Sequence, residues 1–592
     1  MSQPPVAFYE FDGFRIDMQR YLLMRAGEAI QLSPKALRTL LVLIENRERV
    51  VRKDELLEMI WPDSHVEESN LAQNIFVIRK ALSEGKAQRY IVTIPGTGYR
   101  FASPVTEVLA PEVEPFQSIS KGFGELGREG AATLIAVLPL KSLSNSEPDD
   151  YLGLGLADAL ITRLSGLKQI KVRPTSSVLR YREMIHDLAT VGRDLNVEAL
   201  LDGVFQRAGN QIRVSMQLVR VSDGVTLWAT KFDEQFTNIF SIQDSISEQV
   251  ASALALELSG EEQRQLRKNY TGSTDAFQLY IKGRYFWNQR TLDGLRKCMA
   301  YAEQAIALDP TYAPAYVQIA DSYSLLAGHG GLAPKETFPK AKTASMRALE
   351  IDPTLAEAYC SLGFVNYRFE WNWRDAEQNF QKAIQLKPNY STAHHWFGEA
   401  LATVGRFAES VSALEHSQQI DPLSLPIHTD LAQTLFFARR YRECEDQLRK
   451  TLEMDPQFIR AHIILGAALE QMGRFDEAIT SLTRAVELSK SNSFAMSGLG
   501  HAYAAAGNEN AARETLRYLK DLSRKQYCSA YNMAIVLAGL GENESALDLL
   551  EQAVADRDVW LVWLKINPRL DVLRSEARFG ELLRQVGATA EA

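Results

Sequence analysis

The polar residues that stand out in this chain are spaced for contact and do not form a catalytic set. Between residues 69 and 82, Leu71, Ile75, Ile78 and Leu82 recur at intervals of four, three and four, the spacing of one buried helical stripe. The other faces then present Asn70, Gln73, Asn74, Val77 and Lys80. Short amides pair a donor with an acceptor and a cation suits an anionic oxygen, so this set fits base edges and phosphates in a major groove. Residues 90–94 and 99–101 follow as strands around Pro95-Gly-Thr-Gly98, whose glycines permit the positive φ of a hairpin turn. A groove helix beside a β-hairpin is a winged helix-turn-helix arrangement.

Other candidate chemistry resolves into structure. Gly153-Leu-Gly155 resembles the start of a dinucleotide loop, but Asp158 stands where the third glycine belongs and would repel a phosphate. It reads as a glycine-containing turn before a helix. His394-His395 has no cysteine at ligand spacing on the same helix face and reads as helix surface. Cys298, Cys360, Cys444 and Cys528 form no close pair, and Cys298 and Cys444 sit where a small packing residue is needed. No catalytic residue, metal site or cofactor is expected.

Short alternating stretches at 7–11, 14–17, 21–25 and 28–31 predict a small antiparallel sheet. Ser33-Pro34 starts a helix reaching residue 46, and a second helix spans 53–61 before Pro62. Over residues 71–82 and 90–101 the chain resembles the OmpR/PhoB-type effector domain, CadC-like but without a membrane span. That resemblance implies a recognition helix and a wing meeting DNA. It places Ser69, Asn70, Asn74, Val77 and Arg79 at helix contacts and Thr93, Thr97 and Arg100 at wing contacts. Val77 and Pro95 stand where related proteins often have arginine, so Val77 is a candidate for a thymine methyl.

Residues 105–130, with Pro111 and Pro115, read as a linker. A middle α/β domain, 131–262, follows: strands at 134–140 and 170–173, helices at 151–164 and near 183–194, strands at 200–207, 211–219 and 226–232, and a helix at 239–258. Ala136-Val-Leu-Pro-Leu140, Leu201-Asp-Gly-Val204 and Leu227-Trp-Ala229 resemble a TolB-amino-terminal-like or FlgO-like domain. Pro310, Pro353, Pro388, Pro422 and Pro456 then recur at 43, 35, 34 and 34 residues, with Leu362-Gly363, Ala376, Phe380 and Ala383 set between them. This is the period of tetratricopeptide repeats: about eight over 271–558, an insertion near Gly330, and a cap at 559–592 containing Trp560 and Trp563. The fold class is multidomain, a winged helix-turn-helix, an α/β middle domain and an all-α solenoid.

Over residues 1–104, fourteen Lys and Arg stand against thirteen Asp and Glu, leaving 51 against 61 in the rest of a chain of net charge -9. The acidic remainder argues against coating nucleic acid along the whole length. No stretch reaches the ~18 apolar residues of a membrane span and Met1 to Gly13 holds no secretory signal, so a cytoplasmic protein without membrane contact is expected. The expected function is a one-component transcriptional regulator. Its expected partners are double-stranded DNA, a protein or peptide on the repeat array, and RNA polymerase. Stacked repeats imply a concave partner face, with Asn366, Glu399 and Gln433 as exposed polar contacts of little importance to stability. The alternative is a repeat scaffold whose DNA-binding module is residual or only a tether.

Overall fold

The computed structural model describes residues 6–17, 22–25, 28–30, 32–60, 68–83, 89–109, 133–143, 150–167, 169–182, 187–254, 256, 258–266, 268–328, 332–490 and 492–587. Most of the expected linker, and the insertion at Gly330, lie outside them. The chain divides into two compact units, residues 1–119 and 120–592.

In the first unit, β1 (Val6–Phe11), β2 (Phe14–Asp17), β3 (Leu22–Arg25) and β4 (Glu28–Ile30) form an antiparallel meander. α1 (Pro34–Glu45) begins at Ser33, whose hydroxyl accepts from the Ala36 amide at 3.2 Å and so fills an orphan donor of the first turn. β5 (Val51–Arg52), α2 (Lys53–Ile60) and α3 (Glu68–Ala81) lead to the hairpin β6 (Ile91–Ile94) and β7 (Gly98–Phe101). Leu71, Ile75, Ile78 and Leu82 are buried, as their spacing requires. Phe11, Phe14, Tyr90 and Phe101 meet in stacked and edge-on contacts 5.0–5.9 Å apart, which bind the first sheet to the hairpin. The expected linker opens instead with β8 (Thr106–Leu109), which pairs with β1 at the edge of the first sheet. An exposed edge gains from any strand that satisfies its backbone, a tertiary demand that composition does not reveal.

The second unit starts with β9 (Thr133–Val137), β10 (Lys141–Ser142), α4 (Asp150–Leu164), β11 (Ile170–Val172), α5 (Thr175–Val178), α6 (Leu188–Asp194), β12 (Ala199–Ala208), β13 (Gln211–Arg220), β14 (Thr226–Gln235), α7 (Ile239–Ala253) and α8 (Gly260–Leu266). The sheet runs β11-β9-β12-β13-β14, parallel in its first half and antiparallel in its second. The helix expected near 183–194 is confined to α6 among the described residues, and the one expected to reach 258 ends at Ala253. A Cβ at Gly153 would lie 1.9 Å from the Leu140 carbonyl, and one at Gly155 2.5 Å from Ile281. Both glycines lie within α4, not in a turn before a helix as expected, and allow close packing there.

Eight helix pairs follow. They are α9 (Thr274–Asn288) with α10 (Leu292–Leu308), α11 (Ala313–Gly328) with α12 (Pro334–Ile351), α13 (Ala356–Val365) with α14 (Trp373–Leu386), and α15 (Ser391–Thr403) with α16 (Phe407–Ile420). After them come α17 (Leu425–Phe437) with α18 (Tyr441–Met454), α19 (Ile459–Gln471) with α20 (Phe475–Leu488), α21 (Ser493–Ala505) with α22 (Glu509–Ser523), and α23 (Ala530–Gly539) with α24 (Asn543–Asp556). Small residues set the approach of paired helices: a Cβ on Gly398 would lie 2.7 Å from Leu414, and one on Gly466 2.4 Å from Leu482. Cys298 and Cys444 are fully buried in this packing, and burial raises their thiol pKa values, to about 11 for Cys298. Neither is a poised thiolate.

Polar contacts join the middle domain to the repeats. Asp158 is buried, accepts from Arg284 on α9 at 3.1 and 3.2 Å, and accepts from Thr175 at 2.5 Å. Arg173 donates to the carbonyls of Gln419 and Ile420 at the end of α16, while Ser176 and Ser177 each donate to Asp421 at 2.5 Å. Buried groups so matched add specificity without the penalty of unmet hydrogen bonds.

Candidate nucleic-acid interface

α1 and α2 pack beneath α3 and turn one side of it outward. Asn70, Gln73 and Lys80 are exposed there, and Gln73 and Lys80 stand on one ridge seven residues apart. Ser69 lies in the first turn of α3. The remaining expected helix contacts are engaged within the unit. The Asn74 amide donates to Thr39 on α1 at 3.2 Å, and Val77 is half-buried against the core. Arg79 donates to the Ile91 carbonyl at 2.9 Å and to the Thr93 hydroxyl at 2.8 Å, so it braces α3 against the hairpin.

Thr97 is at the hairpin tip, exposed, with its carbonyl accepting from the Lys53 amide at 3.2 Å. Gly96 has φ 71°, which a turn residue other than glycine adopts at a cost. A Cβ on Gly98 would meet the Val51 carbonyl at 2.0 Å, so only glycine lets β7 pair with β5. Thr93 and Arg100 are exposed, and Arg100 lines a surface hollow of about 320 Å³ with Arg47. The arrangement brings an amide and a cation on a helix beside a cation and two hydroxyls on a hairpin. Their chemistry is hydrogen bonding and charge neutralisation.

The residue missed in the sequence is Phe76, 62% exposed on the outward ridge between Gln73 and Lys80. The signal was available: counting from the buried stripe puts position 76 outside, where an aromatic residue is out of place for simple solubility.

The second expected site differs. Asn366, Glu399 and Gln433, expected as exposed contacts on the inner repeat face, are all buried. Glu399 takes an ion pair from Arg368 and a hydrogen bond from the Tyr367 hydroxyl at 2.9 Å, and Gln433 accepts from Arg460 at 2.6 Å. The chain after α24 returns into this groove in place of solvent. Trp563 packs 5.4 Å from Phe437 and 4.8 Å from Trp560, which stacks on Phe494 at 4.8 Å. Arg368 donates to the Val559 carbonyl at 3.3 Å. Arg569 binds Glu470 at 2.8 Å, with His501 2.9 Å from the same carboxylate. The space left beside Gln433, Phe437, Asn532 and Trp563 is about 40 Å³, enough for about one water. The expected cap is thus only partly a cap: Phe579 and Leu582 of α25 (Ala577–Gln585) cover α24, while Trp560 and Trp563 fill the groove. His395, expected at the surface, is buried 2.6 Å from Asp430.

Among the described residues no group of three or more His, Cys, Asp or Glu could hold a metal ion, and no helix is long and apolar enough to cross a membrane.

Comparison with known proteins assigns these units. Residues 27–101 match the family described as transcriptional regulatory protein, C terminal, and residues 131–249 match the second domain of HilA/YgeH-like transcriptional regulators. Residues 429–493, 468–526 and 529–552 match tetratricopeptide repeats. The chain is 24% identical over 421 residues to the transcriptional regulator HilA of Salmonella typhi, covering 70% of each chain. It is 26% identical over 185 residues to putative adenylate cyclase 3 of Rhizobium meliloti (31% of this chain, 32% of that protein). It is 30% identical over 95 residues to the phosphate regulon regulatory protein PhoB of Escherichia coli (16% and 42%). The middle domain therefore matches the HilA/YgeH-like second domain. The chain is built of regulator domains and repeats.

Proposed function

We propose that this chain is a one-component, non-catalytic transcriptional regulator of the cytoplasm in which α3 enters the major groove of duplex DNA and the β6–β7 hairpin meets the neighbouring backbone. The observation that carries this reading is the outward ridge of α3, exposed along Gln73, Phe76 and Lys80 and tied to the hairpin through Arg79. In this reading Asn70 and Gln73 address base edges, and Ser69, Lys80, Thr93, Thr97 and Arg100 address the backbone. Arg79 and Asn74 position α3 from within. The middle domain and the repeats receive the signal, a protein or peptide, and RNA polymerase is met at the promoter. Because the inner groove of the later repeats is filled by residues 558–573, that partner meets another surface of the repeats. Asn366, Glu399 and Gln433 are positioning residues of the groove.

The test is selection of duplexes from a random pool by the full chain, followed by titration of the enriched sequence at several salt concentrations. Affinity should fall steeply with salt, and Lys80→Ala and Arg100→Ala should each reduce the log–log slope by about one while leaving the preferred sequence unchanged. Failure to enrich any duplex, or binding indifferent to salt, refutes the reading.

A further inference from the structure

Isolated exposed apolar side chains are ordinary on protein surfaces. What distinguishes Phe76 is its place: it is the most exposed large hydrophobic residue among the described residues, and it stands one helical turn from both Gln73 and Lys80 on the ridge of α3. A phenyl ring cannot satisfy a base-edge donor or acceptor, and pressing it on one would leave that group desolvated and unpaired. The major groove offers one apolar feature, the C5-methyl of thymine. Val77, the earlier candidate for that contact, is half-buried against the core of its own unit.

We infer that Phe76 is a specificity-determining residue, packing its ring on a thymine methyl between the contacts of Gln73 and Lys80. The inference rests on the DNA-binding reading above and adds the base that is read.

The experiment uses the duplex enriched by the full chain and replaces each thymine singly by uracil, which lacks only the methyl. For the unaltered protein, at least one replacement should raise Kd about fourfold, the worth of one buried carbon at ~0.8 kcal/mol with ~1.4 kcal/mol per decade. Phe76→Ala should be indifferent at that same thymine, and Phe76→Leu should keep part of the effect. Melting temperatures of the three proteins should agree, since the ring is mostly in solvent. Uracil tolerated at every position by the unaltered protein overturns the inference. So does an equal penalty in Phe76→Ala, which would assign the methyl to another residue or to duplex shape. Both results leave DNA binding standing, whereas a pool with no enriched duplex removes the DNA-binding reading and this inference together.

Discussion

Replacing Trp563 by alanine should destabilise the repeat array by about 3–5 kcal/mol, the range for truncating a buried aromatic side chain to alanine. Trp563 is 3% exposed and touches Phe437 from the fifth helix pair and Trp560 from its own segment. Trp560 in turn stacks on Phe494 from the seventh pair. The indole thus joins repeats that are far apart along the chain, in an architecture where each repeat otherwise contacts mainly its neighbours. Its loss should lower the urea midpoint and also broaden the transition, because the array then loses its cross-link between distant repeats. Val572→Ala is the control: the side chain is 48% exposed in the same returning segment, and its truncation should stay within about 0.5 kcal/mol. Equal midpoints for the two variants would show that the returning segment is not a structural part of the groove.

Glu399→Ala should cost a comparable amount, about 3–5 kcal/mol, because it strands the Arg368 guanidinium in the interior. Both side chains of that ion pair are less than a tenth exposed. The double replacement Arg368→Met with Glu399→Leu should recover much of the loss, since well-packed apolar residues often equal a buried ion pair. A small cost for Glu399→Ala, as expected for a residue on an open concave face, would mean that the groove is open in solution.

The same groove makes stability depend on pH through Glu470. Burial pushes its carboxyl pKa up, but the charges and hydrogen bonds of Arg569 and His501 outweigh burial and hold it at about 2, against an ordinary 4.5. A depressed pKa means that the folded state favours the ionised form. The stabilisation is complete above pH 4.5 and is lost as pH falls toward 2, amounting to about 3 kcal/mol. Asp558 acts with the opposite sign: burial raises it to about 6, so its stabilising effect belongs to low pH and fades as pH climbs from 3.8 through 6. Comparing urea midpoints of the unaltered protein and Glu470→Gln isolates the first effect. Their difference should be large at pH 7 and shrink steadily below pH 4.5, and a difference independent of pH would contradict the assignment.

What the amino-acid sequence determined alone was everything governed by local periodicity and backbone chemistry. The stripe of Leu71, Ile75, Ile78 and Leu82, the start at Ser33-Pro34, the glycine hairpin at 95–98 and the repeat spacing of the prolines each encode a structure within a few residues of themselves. They suffice for a winged helix and an array of helical repeats. Tertiary structure alone decided which polar side chains remain available. Asn74 and Arg79 share α3 with Gln73 and Lys80, yet the first pair is drawn to Thr39 and Thr93, on α1 and in the hairpin. Asn366, Glu399 and Gln433 have the periodicity of an inner repeat face, but whether that face is wet depends on Trp560 and Trp563, more than a hundred residues away. The strand at 106–109 was hidden for the same reason, since its partner is β1 at the other end of the unit. A helical pattern records which direction a side chain points, while its burial depends on what the rest of the chain brings against it.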